Sequence, residues 1–153
     1  DDEALIREAI VDILAEDGID LRKEILQWHK DVEKIDCILV DEAQFLSAIH
    51  IDELFELAVM DDIPVLCFGL RTDFQRNLFP GSRRLFELAH SLEELKTICR
   101  CGKKALFVGR KVNGEYVFDG SQVAIDGENE VTYESLCGNC YLHEQSVNST
   151  NLA

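Results

Sequence analysis

Two features of this 153-residue sequence combine the residue types and spacing needed for chemistry. The first is four cysteines in two close pairs, Cys99-Arg-Cys101 and Cys137-Gly-Asn-Cys140. Two short chelating turns joined by hairpin material are how zinc ribbons are built, each turn giving two thiolates at about 2.3 Å from a tetrahedral ion. The C-x2-C half is the common form, and C-x-C is tighter and less usual. His143 could replace one ligand, although a solvated histidine is the plainer reading. Redox or disulfide chemistry is the competing use of such a quartet. With four protein ligands, the expected Zn2+, one per chain, is structural and has no open position for catalysis. The remaining Cys37 and Cys67 lie in apolar runs, where a free thiol packs as a small hydrophobe.

The second feature is the acidic pair in Leu39-Val-Asp-Glu-Ala-Gln-Phe45. In open α/β sheets ligands bind beyond the carboxyl ends of strands, which is where Asp41 and Glu42 fall. A strand ending in Asp is how P-loop nucleotide enzymes hold Mg2+, and a following Glu can take a proton from a nucleophile. The bland alternative is a helix N-terminus whose acids favour its dipole. A P-loop would also need G-x-x-x-x-G-K-[ST]. The only Gly-Lys here is Gly102-Lys103, inside the first cysteine turn and followed by Lys104. Either the acidic pair has another use, or the phosphate-binding segment lies upstream of Asp1.

The elements that must position these residues follow from periodicity. Leu5, Ile6, Ala9, Ile10, Ile13 and Leu14 share one face of a helix over 2–15, with Gly18 as its stop. A more polar helix covers about 21–33. Cys37–Val40 reads as a short strand, 47–60 as a helix capped by Ser47, and 63–70 as a strand with Pro64 at its start. A short helix capped by Ser82 follows over 82–90. This alternation predicts an α/β fold with a parallel sheet, and the unbroken apolar runs fit strands covered on both faces. After Cys101, apolar stretches at 105–108, 116–118 and 123–125 are separated by Asn113-Gly114, Asp119-Gly120 and Asp126-Gly127, which are turn signals. A small β lobe is therefore expected after the α/β core, with the boundary at 98/99.

Composition narrows the function. Apolar residues make up 46% and charged ones 29%, which suits a folded domain and not a disordered tail. No uncharged apolar run is long enough to cross a membrane, and Asp1-Asp2-Glu3 is unlike a signal peptide. Cysteine usage points to the cytoplasm. The net charge of −15 argues against a nucleic-acid partner. The chain opens without Met inside what reads as a helix, as expected of a piece of a longer protein.

Taken in order, Leu39-Val-Asp-Glu-Ala-Gln-Phe-Leu46, Asp62-Ile-Pro-Val-Leu-Cys-Phe-Gly-Leu-Arg-Thr-Asp-Phe-Gln-Arg76, Leu95-Lys-Thr-Ile-Cys-Arg-Cys-Gly102 and Cys137-Gly-Asn-Cys-Tyr141 resemble the type II thymidine kinases. The likeness runs from about residue 36 to 141 and is closest to the bacterial branch, which shares the Cys-x-Cys form. It implies a P-loop kinase core, incomplete at the N-terminus, followed by a zinc-ribbon and lasso lobe.

The resemblance also implies roles. Glu42 matches the catalytic base that takes the proton from the thymidine 5′-hydroxyl. Asp41 would act on the Mg2+ that accompanies ATP, and Asp41, Glu42, Ala43 and Gln44 would line the nucleotide site. Phe45, Phe74 and Phe79 match aromatic positions around the nucleoside, where stacking on a flat base is worth about 1–3 kcal/mol per contact. Without the resemblance all three read as ordinary core. Leu70 matches an apolar residue near the 5-methyl group, and Tyr133 a tyrosine near the return of the lasso over 120–133. The stretch from Ile125 to Cys137 is longer than the family's usual version, which shifts the register at Ile125 and Asp126. Deoxyuridine as second substrate, dTTP as feedback inhibitor and a homotetramer are further implications. Without its P-loop this chain is expected to be inactive alone.

Two other classes compete. Asp-Glu-Ala-Gln also resembles the acidic box of nucleic-acid motors, which the acidity and the downstream cysteines oppose. A non-enzymatic zinc-ribbon interaction module is the third reading, and the missing phosphate cradle favours it.

Overall fold

The computed structural model describes residues 19–31, 34–122 and 129–151. The helix expected over 2–15, with Gly18, lies outside these residues, as do Ile125 and Asp126. The described chain forms two compact units. The first runs to Arg71 and resumes over Phe79–Leu92; the second takes Thr72–Leu78 and the chain from Glu93 onward.

In the first unit, α1 (Leu21–Asp31) starts where the Asp20 side chain accepts the Lys23 N–H at 2.9 Å. It buries Leu21 and Ile25, one turn apart on one face. Strand β1 (Ile38–Val40) pairs in parallel with β2 (Val65–Cys67), in the register Ile38–Val65, Leu39–Leu66, Val40–Cys67. Between them runs α2 (Ala48–Met60), whose N-cap Ser47 accepts the His50 N–H as its sequence suggested. Leu21, Ile25, Leu46, Ile51, Leu54, Leu57 and Ile63 form the buried core, with Ile38, Val40, Val65 and Cys67 packed against it. Burial raises the Cys67 thiol to about 11, so it stays protonated and behaves as a hydrophobe. Cys37 precedes the strand and is half-buried. The strands are not covered evenly. The register partners Leu39 and Leu66 remain 44% and 45% exposed, because strand alternation turns them away from the core side.

Helix α3 (Pro80–Leu88) begins earlier than its sequence suggested. Pro80 occupies its first turn, where a missing N–H costs nothing, and Phe79 takes the cap position. Ser82 is therefore not a cap. It is buried inside the helix, and its hydroxyl donates to the Leu70 carbonyl at 2.6 Å.

The second unit is built on an antiparallel sheet of order β4-β3-β5, with β3 over Phe107–Val112, β4 over Glu115–Val117 and β5 over Val131–Leu136. Asn113 and Gly114 close the β3–β4 hairpin at φ 51° and 86°, the pair of positive angles that defines a type I′ turn. Helix α4 (Gly138–Asn151) follows β5 and was not expected. Cys99, Ala105, Leu136, Cys137 and Tyr141 make this unit's buried cluster, joined by Phe107, Tyr116, Phe118 and Cys140. Among the described residues no helix is long and apolar enough to cross a membrane.

Candidate functional site

Asp41 and Glu42 leave the carboxyl end of β1, where the backbone turns sharply into the short 3-10 helix Ala43–Phe45. The turn is sharp because Glu42 sits in the left-handed region at φ 51°, ψ 34°. A non-glycine residue there is uncommon and costs about 1–2 kcal/mol, offset only where the surroundings fix it. Those surroundings are visible. The Asp41 side chain accepts the Glu42 N–H at 2.9 Å, and the Ala43 N–H donates to the Phe68 carbonyl at 2.9 Å, tying the turn to the end of β2.

Gln44 is the centre of this arrangement. Its side chain is almost completely buried, at 1% exposure. The amide Nε2 donates to Glu42 Oε2, and Oε1 accepts the Leu70 N–H at 3.1 Å. One buried amide thus anchors an exposed carboxylate to the next strand's exit. Leu70 is held from both sides, since its carbonyl accepts from Ser82. Two glycines make room. A Cβ on Gly69 would overlap Gln44 Oε1, and one on Gly81 would stand 2.5, 2.6 and 2.9 Å from the carbonyl oxygens of Ala43, Leu46 and Gln44.

The aromatic candidates are placed differently from one another. Phe79 is buried, Phe45 is 51% exposed, and their rings meet edge to face with centroids 5.5 Å apart. Leu70 is 45% exposed. In the second unit Phe74 is buried at 2% exposure and Tyr133 is largely exposed. Phe74 belongs to the segment Thr72–Leu78, which buried Asp73 organises by accepting the N–H groups of Gln75 and Asn77, each at 2.9 Å. The Tyr141 hydroxyl donates to the Phe74 carbonyl, and Gln75 Nε2 donates to the Phe118 carbonyl at 3.1 Å.

The cysteines converge. The Sγ atoms of Cys99, Cys101, Cys137 and Cys140 all lie within 4.8 Å of one another. A tetrahedron of thiolates at about 2.3 Å from a central ion has edges of about 3.8 Å, so the set fits a metal ion. Main chain shapes both turns. Gly102, at φ 83°, donates to the Cys99 carbonyl, and the Cys99 N–H donates to the Lys103 carbonyl. N–H groups of Cys101 and Cys137 pull the Cys99 thiol down to about 6, and the Cys140 N–H lowers Cys137. Cys140 is pushed up to about 12, first by Cys101 and then by Cys99 and Cys137. Four crowded sulfurs cannot all ionise unaided; a cation at their centre removes that conflict. His143 is exposed on α4 and is not among the converging ligand atoms.

A family profile described as "Thymidine kinase" matches residues 9–141. The chain belongs to the thymidine kinase family. Among its relatives, the thymidine kinase of Pasteurella multocida is 52% identical over 119 residues, covering 77% of this chain and 60% of that protein. The Haemophilus influenzae Rd thymidine kinase is 51% identical over 110 residues, 71% of this chain and 56% of that protein. The Colwellia psychrerythraea thymidine kinase is 47% identical over 125 residues, 81% and 64% respectively. The chain thus spans about 60% of the length of the thymidine kinases it matches.

Three residues of the second unit have a place in this arrangement that the sequence does not announce. Arg110 is 4% exposed, and its guanidinium lies 3.8 Å from the centre of the Phe74 ring. Its Nη1 and Nη2 donate to the carbonyls of Ser121 and Gln122 at 2.7 and 2.6 Å. The Gln122 amide donates in turn to Asp73 at 3.0 Å. The local sequence, Phe107-Val-Gly-Arg-Lys-Val112, holds two adjacent cations and does not say which of them is buried. Asp73 lies in the Asp62–Arg76 segment without a role assigned to it, and Gln122 carries no local pattern.

Proposed function

We propose that the protein phosphorylates thymidine at its 5′-hydroxyl with ATP and Mg2+, deoxyuridine being the second substrate. The observation that carries this reading is the bracket on Glu42, an exposed carboxylate at the end of a parallel strand, held by a buried amide that is itself fixed by the next strand's exit. Family membership supplies the reaction. Mg2+, when bound with ATP, would neutralise charge on the phosphates.

The chain's own residues then have definite tasks. Glu42 accepts the 5′-hydroxyl proton as the oxygen bonds to the γ-phosphorus and the bond to the β-phosphate oxygen breaks, leaving dTMP and ADP. Asp41 would act on Mg2+, and Ala43 and Gln44 would complete the nucleotide side. Phe45, Leu70, Phe74, Phe79 and Tyr133 are assigned to the nucleoside by the family likeness. We assign residues 1–98 to a P-loop-type kinase core and 99–153 to the zinc-ribbon and lasso part. The ion of the cysteine cluster is Zn2+, one per chain, with a structural task, since four thiolates leave no open position. A cytoplasmic location, a homotetramer and inhibition by dTTP complete the proposal.

The chain spans about 60% of the length of the thymidine kinases it matches, so the test uses the intact protein. Assayed with ATP, Mg2+ and a panel of nucleosides, it should favour thymidine and accept deoxyuridine. Glu42→Gln should lower turnover by at least about a hundredfold while thymidine still binds. Near-normal turnover in that variant removes Glu42 from the role, and no nucleoside phosphorylation by the wild type overturns the function.

A further inference from the structure

Arg110 carries a full charge in the interior of a small sheet. None of the ion pairs among the described residues engages it, and its Nε has no partner. Burying a cation is costly, and an apolar side chain of similar length would stabilise the sheet at least as well. Packing alone therefore does not account for an arginine here.

Its contacts do. Arg110 lies on the central strand β3, directly opposite Tyr133 on β5, and its guanidinium is 5.5 Å from that ring and 3.8 Å from the Phe74 ring. Phe74 and Tyr133 are the two residues of this unit assigned to the nucleoside. The same guanidinium forks two consecutive carbonyls, Ser121 and Gln122, with short bonds of the charge-assisted kind. Gln122 is tied through its side chain to Asp73, the neighbour of Phe74. One planar cation thus fixes two aromatic rings and the intervening main chain in a single geometry. A lysine cannot do this, because it is a point charge without a fork.

We propose that Arg110 is the positioning residue of the nucleoside site, setting the placement of Phe74 and Tyr133 without touching the reacting atoms. The inference rests on the thymidine kinase reading above. It predicts an effect on nucleoside binding and little effect on the phosphoryl step.

The test is steady-state kinetics on the intact protein with Arg110→Met and Arg110→Lys, varying thymidine and ATP separately. Arg110→Met should raise the thymidine KM by about tenfold or more, with kcat and the ATP KM within about threefold. Equilibrium dialysis with labelled thymidine should show the same loss of affinity. Arg110→Lys should fall between wild type and Arg110→Met, since it keeps the cation and loses the fork. Metal content and a cooperative melt verify folding. If Arg110→Met does not fold, Arg110→Lys carries the test, with the thymidine KM raised about threefold or more. A folded variant with an unchanged thymidine KM, or with both KM values rising together, overturns the assignment. A wild type that phosphorylates no nucleoside overturns the function and this inference with it; an active wild type with an indifferent Arg110→Met overturns this inference alone.

Discussion

The buried Gln44 amide donates to the exposed Glu42 carboxylate while accepting the Leu70 N–H, so a side chain that is 1% exposed sets the direction of one that faces solvent. Gln44→Leu keeps the volume and removes both bonds. It removes the acceptor of the half-exposed Leu70 N–H, which should cost about 0.5–1.5 kcal/mol in denaturant unfolding. Turnover of the intact protein should fall by about tenfold or more as Glu42 loses its orientation, with the thymidine KM less affected.

Gly69 and Gly81 back the same turn, and alanine at each should fail for different reasons. At Gly81 the new Cβ meets three carbonyl oxygens of the 43–46 backbone, which cannot step aside. At Gly69 it first meets the Gln44 side-chain oxygen, with the main-chain nitrogens of Gln44 and Ala43 at 3.2 and 3.3 Å. Gly81→Ala should lose about 3 kcal/mol or more of stability, and Gly69→Ala less, about 1–3 kcal/mol. Gly69→Ala should still impair turnover, because it displaces the amide that holds Glu42. Unfolding midpoints and kcat measured on both variants separate the two effects.

At the Asn113-Gly114 hairpin the strain is conformational alone. Nothing lies within 4 Å of a Cβ built on Gly114, whose φ is 86°. Gly114→Ala should cost about 1–2 kcal/mol, the penalty of a left-handed backbone, with no change in metal content. Thermal melts of the metal-loaded protein check this.

Removing the proposed Zn2+ should loosen the cysteine turns before the α/β part. Chelation should raise amide exchange over 99–105 and 137–141 while α2 keeps its protection. Cys101→Ser should lower metal stoichiometry from about one per chain. Equal protection with and without the ion would contradict a structural role.

The Glu134 carboxylate is held below its ordinary range, first by the Lys111 ammonium at 2.6 Å and then by the Tyr116 hydroxyl. A depressed carboxylate contributes stability that is fully present above its unfolded value of about 4.3 and is lost as pH falls through the lower folded value. The stability difference between wild type and Glu134→Gln should therefore be constant near neutrality and shrink below about pH 4. Because the side chain is partly exposed, the difference should stay below about 1 kcal/mol. A difference that persists at low pH would place the effect elsewhere.

What could be read from the chain was what local chemistry decides. Ser47 caps α2, the apolar runs at 38–40 and 65–67 pair in parallel, Asn113-Gly114 closes a hairpin, and the four cysteines converge. Where a residue answers to a distant partner, local rules failed. Ser82 looked like a cap, but its hydroxyl serves Leu70, and Pro80 starts the helix instead. Helix α4 was missed because Gly138–Asn151 is polar, rich in Asn and Ser, and has little amphipathic pattern. Gln44 was legible as part of a motif, yet its bond to Glu42 depends on the strand exit at Leu70. Arg110 acquires its meaning only when Phe74 is seen beneath it.

The assignment of Thr72–Leu78 to the second unit, between two stretches of the first, has a practical corollary for dissecting the gene. No single cut separates the units. A fragment starting at residue 93 would lack Phe74, the Tyr141 hydroxyl would lose its acceptor, and the Arg110 cation would face an empty slot. The complementary fragment would carry Phe74 with nothing to cover it. Independent expression of either half should yield poorly behaved protein, whereas splicing residues 72–78 onto the cysteine-bearing half through a flexible linker should restore a soluble fold. The second unit is therefore encoded in two stretches of the gene, and both must be present for it to fold.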